Sequence, residues 1–320
     1  MERYQSTFEH RVRINLSESG VHPLTVDELL EIAGTDAGVG GIRLGYGQSN
    51  GSDELRHKVA AQYEGATENN VLVTVGGAEA NFTCFWHLFE TEEKAAVILP
   101  TYGQVPGLID SFEGRIMPVH LVEENDWQPD LEALEAALEA GARFVLITNP
   151  NNPTGAALSD ASMDAIAEMT ARHGAWIMAD EVYAGAETGV EKTRSFWGCH
   201  DKVLVTNSLS KAYGLPGLRL GWILGPSELI EKLWGHTDYT TIAVASVSDA
   251  LACVALEPET RDRIMARTRG IVRANLQLVE DWMAAQEGRF SYRPPDAGAI
   301  CYTAYDAQVN STDFAEKLRT

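Results

Sequence analysis

The chain has 320 residues, of which 45% are hydrophobic and 22% charged, and its formal net charge is -21. That is enough apolar material for one or two folded domains and too much for a disordered chain. The acidity argues against partners that need a basic footprint, nucleic acid and anionic membrane surfaces, and no run approaches the ~20 apolar residues of a membrane span.

The N-terminus, MERYQSTFEHRVRINLSES, lacks the apolar centre of a signal peptide. Four cysteines, Cys84, Cys199, Cys253 and Cys301, stand far apart without a CxxC pair, so neither a disulfide framework nor a metal site is expected, and a cytoplasmic setting is. Strand-like apolar runs occur at 71–75, 95–100, 115–121, 143–148, 175–180, 202–207 and 219–224. Amphipathic stretches at 130–140, 160–173 and 226–234 read as helices between them. This alternation predicts an α/β fold: a mostly parallel seven-stranded sheet with helices on both faces. Residues 257–288 read as one long charged helix and 290–306 as short strands. We therefore expect a large domain over 41–256, with 1–40 and 257–320 forming a smaller α+β domain from both chain ends.

In such sheets ligands bind beyond the carboxyl ends of the strands. The first run is followed by GGAEANF, where Gly76 and Gly77 allow a tight turn into a helix. A free helix N-terminus at Gly77, Ala78 and Glu79 suits a phosphate; a plain strand-to-helix turn is the alternative. The second ends in TYG, where Tyr102 could stack on a flat ring or simply pack on the sheet. The fourth leads into NPNNPTG, whose two Asn-Pro steps suggest a rigid loop that aims the Asn152 amide. The fifth ends in DEVY, placing Asp180 at the tip of an apolar strand, where a carboxylate needs a cation, and Tyr183 three residues on. The sixth leads into SLSKAYGLPGLRLGW, with Ser208, Ser210, Lys211 and Arg219 in one glycine-rich span.

Together these residues describe one ligand. It is flat (Tyr102) and carries a phosphate (Ala78, Glu79, Ser208, Ser210, Arg219). It has a basic ring nitrogen for Asp180, a phenolate for Asn152 and Tyr183, and an aldehyde for Lys211. Pyridoxal 5'-phosphate (PLP) has these parts. In that reading Asp180 keeps the ring nitrogen protonated. Lys211 holds the aldehyde as a Schiff base, gives way to a substrate amine, and then moves the Cα proton.

NPNNPTG, DEVY and SLSKAYGLPGLRLGW, in this order, resemble the fold-type I, class I/II PLP-dependent aminotransferases, and the likeness spans nearly the whole chain. The resemblance implies Lys211 as the Schiff-base lysine, Asp180 as the pyridinium partner, and Asn152 and Tyr183 as phenolate ligands. It implies Tyr102 as the stacking ring, and Gly77, Ala78, Glu79, Ser208, Ser210 and Arg219 around the phosphate. Tyr46, in LGYGQSNGSDELR, matches a tyrosine that reaches the phosphate of a neighbouring subunit, which implies a homodimer. Gly20, in NLSESGVHPLT, matches a backbone contact to the substrate carboxylate. That segment and DYTTIAVAS are similar to a subgroup that includes capreomycidine synthase, a cyclising PLP enzyme, whereas DEVY follows the commoner aminotransferase form. The resemblance thus implies transamination between an amino acid and a 2-oxo acid. A cyclase, a synthase, a β-lyase and a catalytically impaired PLP-binding protein are the alternatives. In that family a further C-terminal part carries the arginine that grips the substrate carboxylate; the expectation is either that this sequence is a fragment or that its small domain is incomplete by nature.

Overall fold

The computed structural model describes residues 2–36 and 38–319. All seven expected runs become strands: β1 (Val71–Thr74), β2 (Lys94–Leu99), β3 (Arg115–Val122), then β5 (Phe144–Thr148), β6 (Trp176–Asp180), β7 (Val203–Ser208) and β8 (Gly221–Leu224), with β4 (Gln128–Pro129) inserted before β5. The sheet thus has eight strands rather than seven, in the order β1-β8-β7-β6-β5-β2-β3-β4. The extra strand was not foreseen because it is two residues long, one of them a proline, which is tolerated at a sheet edge. It pairs antiparallel with β3.

β3, β2, β5, β6 and β7 run parallel. β8 is antiparallel to both β7 and β1. Two reversals restore the original direction, so β1 ends on the same edge as the parallel strands. β8 begins on that edge. The ends of β1, β2, β5, β6 and β7 and the start of β8 therefore line one rim.

β1, β5, β7 and β8 are buried at every position. Their continuous apolar sequence reflects coverage of both faces. Alternate residues enter two separate cores. Val73, Val145, Ile177, Val205 and Leu224 join Leu134, Met163 and Ile166 from the helices Leu131–Glu139 and Asp160–Arg172. Leu72, Phe144, Met178, Leu204 and Ile223 join Phe85, Ile109 and Leu233 from the helices Gly77–Leu88, Gln104–Ser111 and Ser227–Thr237. Each such fully buried side chain contributes about 1.5–3 kcal/mol of apolar transfer.

The long helix forms as Pro258–Ala284, and β9 (Phe290–Tyr292) pairs antiparallel with β10 (Thr303–Tyr305). The helix Val26–Ala33 starts with a capping box between Thr25 and Glu28 and ends at left-handed Gly34. Arg263 and Arg267 of the long helix donate to the Ile32 and His22 carbonyls, so the two chain ends meet.

Two buried residues beside the rim make the fold testable. Gly221 lies in register with Thr74 on one side and Ser208 on the other. A Cβ there would stand 2.6 Å from the Gly76 carbonyl carbon and 2.7 Å from both the Asn207 oxygen and the Gly77 nitrogen. Backbone cannot yield as a flexible side chain would, so Gly221→Ala should cost about 1–3 kcal/mol, read as a lower urea midpoint at unchanged slope. An unchanged midpoint would mean that β8 can shift freely. Glu181 is 3% exposed, and its Oε1 accepts from Ser195 Oγ (3.0 Å) and the Phe196 amide (2.8 Å). Burial raises its pKa from 4.5 to about 7 against those two hydrogen bonds, with Asp180 pushing the same way. The folded state then prefers the neutral acid, and stability falls as pH rises from about 4.5 through about 7. Glu181→Gln keeps the acceptor and removes the titration. Its stability relative to wild type should rise across that window by on the order of 3 kcal/mol. Urea midpoints at acid and alkaline pH would show a constant difference if Glu181 does not titrate there.

Candidate active site

The phosphate-like corner of the rim is built by close backbone approach. Gly76 has φ 82° and precedes the helix Gly77–Leu88 with no side-chain cap. The amides of the first turn are thus left for another acceptor. Arg219, two residues before β8, has φ 48°, an uncommon conformation for a residue with a side chain. A Cβ on Gly76 would fall 2.5 Å from Arg219 Nη2, so the guanidinium lies directly over that glycine. Arg219 Nη1 donates to the Pro216 carbonyl at 3.0 Å. Ser208 Oγ lies 3.6 Å from the Cβ position of Gly77 and accepts the Ser210 amide at 3.2 Å. Gly77, Ser208 and Arg219 therefore lie close together around Gly76, with the Ser210 amide tied to Ser208 Oγ. Ala78 is exposed on the same turn. Glu79 faces elsewhere with its side chain, which accepts from the Val75 amide and from the Thr240 and Thr241 hydroxyls. Its carboxylate is committed, so only its amide is available to an anion.

The ring-like part of the site centres on Asp180, the last residue of β6. It pairs in register with Thr148 of β5 and Thr206 of β7. Burial raises its pKa, opposed by hydrogen bonds from Asn81 and the Val182 amide and by the charge of Lys211. Asn81 Nδ2 reaches Asp180 Oδ2 at 3.2 Å, and the Val182 amide reaches Oδ1 at 3.2 Å. Asn152 Nδ2 donates to Tyr183 Oη at 3.2 Å, and Tyr183 donates to Ser19 Oγ at 2.9 Å. Burial pushes the Tyr183 phenol well above its ordinary range, and Tyr102 is close enough to add to that effect. Gly298 packs edge-on: a Cβ there would lie 3.0 Å from the Tyr183 ring.

Lys211 sits beside both groups. Its Nζ donates to Glu18 Oε1 at 2.9 Å. The same oxygen accepts the Gly20 amide at 2.8 Å. A Cβ on Gly20 would lie 3.7 Å from Lys211 Cδ, so the N-terminal segment passes against the lysine stem. Glu18 is held below the usual carboxylate range: burial would raise it, but the Lys211 charge and hydrogen bond and the backbone bonds outweigh that.

Of the residues expected from sequence, Gly20, Gly77, Asn152, Asp180, Tyr183, Ser208, Ser210, Lys211 and Arg219 are thus brought onto one rim, with Ala78, Glu79 and Tyr102 on its turns. Tyr46 is not gathered there and is 88% exposed. Sequence reasoning passed over Asn81, Glu18, Ser19 and Gly298. Asn81 left only a weak signal, a polar residue on the buried side of its helix, a feature that Thr83 shares. A surface concavity of about 560 Å³ bordered by Asp164, Arg194, Trp197 and Cys199 contains none of these groups.

The donor set fits PLP on this chain's own geometry. Arg219 lies directly over Gly76 beside the uncapped helix start, an arrangement suited to an anion, and Asp180 is a half-buried carboxylate suited to a ring N–H. The comparisons agree. The family model for aminotransferase class I and II matches residues 13–320. The chain is 29% identical over 314 residues to capreomycidine synthase of Streptomyces vinaceus, covering 96% of this chain and 79% of that protein. It is 25% identical over 280 residues to arginine–pyruvate transaminase of Pseudomonas aeruginosa, covering 85% and 71%. The crystal structure of a PLP-dependent aminotransferase from Streptococcus suis superposes with a TM-score of 0.92 at 28% identity, over 99% of this chain and 85% of that one. With PLP as its cofactor, and with a match that runs from residue 13 to its last residue, the chain belongs to the aminotransferase class I and II family.

Proposed function

We propose that the protein is a PLP-dependent aminotransferase that moves an amino group between an amino acid and a 2-oxo acid. The observation that carries this reading is Lys211, whose amine shares one rim with the half-buried Asp180 carboxylate and the Gly76–Arg219 corner. PLP, when bound, supplies an electron sink for a carbanion at the substrate Cα.

The chain's residues divide the remaining work. Arg219, Ser208, Ser210 and the amides of Gly77, Ala78 and Glu79 bind the phosphate and fix the cofactor's position. Asp180 accepts the ring N–H and keeps that nitrogen charged. Asn152 and Tyr183 would hold the phenolate oxygen, and Tyr102 would stack on the ring. Lys211 Nζ would hold the aldehyde carbon of the cofactor. Freed, the same nitrogen carries a proton away from Cα and returns it elsewhere, so Lys211 serves as base and then acid. Glu18 must release Lys211 before any of this begins. Gly20 offers its amide to the substrate carboxylate once Glu18 has turned away. The working unit in this reading is a cytoplasmic homodimer in which exposed Tyr46 reaches the phosphate held by the other copy.

A second reading, an amino-acid cyclase or synthase, is favoured by the extent of the likeness to capreomycidine synthase, 96% of this chain. Fold and cofactor are common to both reactions, so products decide between them.

Purified protein should be yellow and should retain one PLP per chain after borohydride reduction, and Lys211→Ala should lose that attachment, as read by intact mass. Mixing with single amino acids should convert the cofactor to its amine form with release of the 2-oxo acid. Ammonia or a cyclised amino acid as product would exclude transamination, and a protein that takes up no PLP would remove the whole reading.

A further inference from the structure

Asn81 belongs to none of the motifs by which the chain was read, yet it is 2% exposed and bonded to three side chains of the rim. Its Nδ2 donates to Asp180 Oδ2 at 3.2 Å and to Gln104 Oε1 at 3.1 Å. Its Oδ1 accepts from Thr206 Oγ1 at 2.8 Å. We propose that Asn81 is a positioning residue for the reaction: it fixes Asp180 as a carboxylate aimed at the cofactor's ring nitrogen. This rests on the reading of Asp180 given above.

The amide's orientation follows from its neighbours. Gln104 Nε2 donates to the Ala78 carbonyl at 2.8 Å, which turns Gln104 Oε1 toward Asn81. An ionised Asp180 can only accept. Two acceptors therefore face Asn81, and only its NH2 group can satisfy both. The Thr206 hydroxyl, which can donate or accept, then donates to the remaining oxygen. Flipping the amide would set its oxygen against both acceptors. The network is complementary to a carboxylate and not to a carboxylic acid, whose O–H would need an acceptor at that place. With Asn81 on Oδ2 and the Val182 amide on Oδ1, the carboxylate is held at both oxygens and keeps lone pairs for one more donor.

The same three bonds join separate parts of the site. Asn81 lies on the helix whose first turn forms the phosphate corner, Thr206 lies on β7, two residues before Ser208, and Gln104 begins the helix after Tyr102. The distance from phosphate to ring nitrogen is fixed in the cofactor. Asn81 ties the two protein groups that must match that distance.

The test compares PLP with its 1-deaza analogue, which keeps the aldehyde and the phosphate but has carbon in place of the ring nitrogen. Dissociation constants for both are measured by equilibrium titration of the cofactor-free protein. Wild type should prefer PLP, and Asp180→Ala should abolish the preference. Asn81→Leu and Asn81→Ala should each reduce it by roughly ten- to hundredfold, the size expected for one hydrogen bond to a charged acceptor. Thr206→Val, which leaves Asn81 in place but frees its amide to turn, should reduce it less and serves if the Asn81 variants do not fold. The preference of the Asn81 variants should also fail at higher pH than that of wild type, because their Asp180 protonates more readily. Equal weakening of both ligands by the Asn81 variants, with the ratio and its pH profile unchanged, would make Asn81 merely structural and overturn the proposal. If Asp180→Ala leaves the ratio unchanged, the fault lies instead with the assignment of Asp180 to the ring nitrogen, and the proposal falls with it.

Discussion

A half-buried carboxylate at the end of an apolar strand is the constraint around which the rest of the site is arranged. Asp180 cannot be left there without donors, because an unpaired charge in such surroundings costs far more than one hydrogen bond returns. The chain provides Asn81, the Val182 amide and the nearby charge of Lys211, yet burial still prevails over them. A group so placed is poised to accept one further cationic donor. In the proposed reading that donor is the ring N–H of the cofactor.

The opposite corner solves a different problem. An anion must be met by many donors at short range, which requires backbone to approach backbone without side chains between. Gly76, Gly77 and Gly221 make this approach possible, and β8, by running antiparallel, delivers Arg219 to the same edge that the parallel strands leave. The sheet topology and the proposed phosphate corner are therefore one arrangement. A parallel eighth strand would have placed Arg219 at the far end of the sheet.

The N-terminal segment closes the third side. Ser19 accepts from Tyr183, and Glu18 accepts from both Lys211 and the Gly20 amide. A carboxylate bonded to that amide and to the lysine ammonium stands where the resemblance sets a substrate carboxylate. Glu18 thus pairs a half-buried lysine with a side chain of the same chain.

Much of this was legible in the order of residues alone. Seven apolar runs became strands because covering both faces of a sheet demands continuous apolar sequence, and that demand is local enough to read. The strand-end motifs pointed to PLP because a carboxylate, a lysine and an arginine at strand ends have few compatible ligands. The two-residue β4 left no such trace, since its pairing with β3 depends on a partner and not on its own pattern. Asn81, Glu18 and Ser19 acquire their partners across 99, 193 and 164 positions of chain. Nothing in their immediate neighbours records those contacts. The sequence by itself determined which chemical groups the protein carries and on which strands they end. Only the tertiary structure decided which donor meets which acceptor, because hydrogen bonds are set by distances of about 3 Å that the folding of remote segments alone can produce.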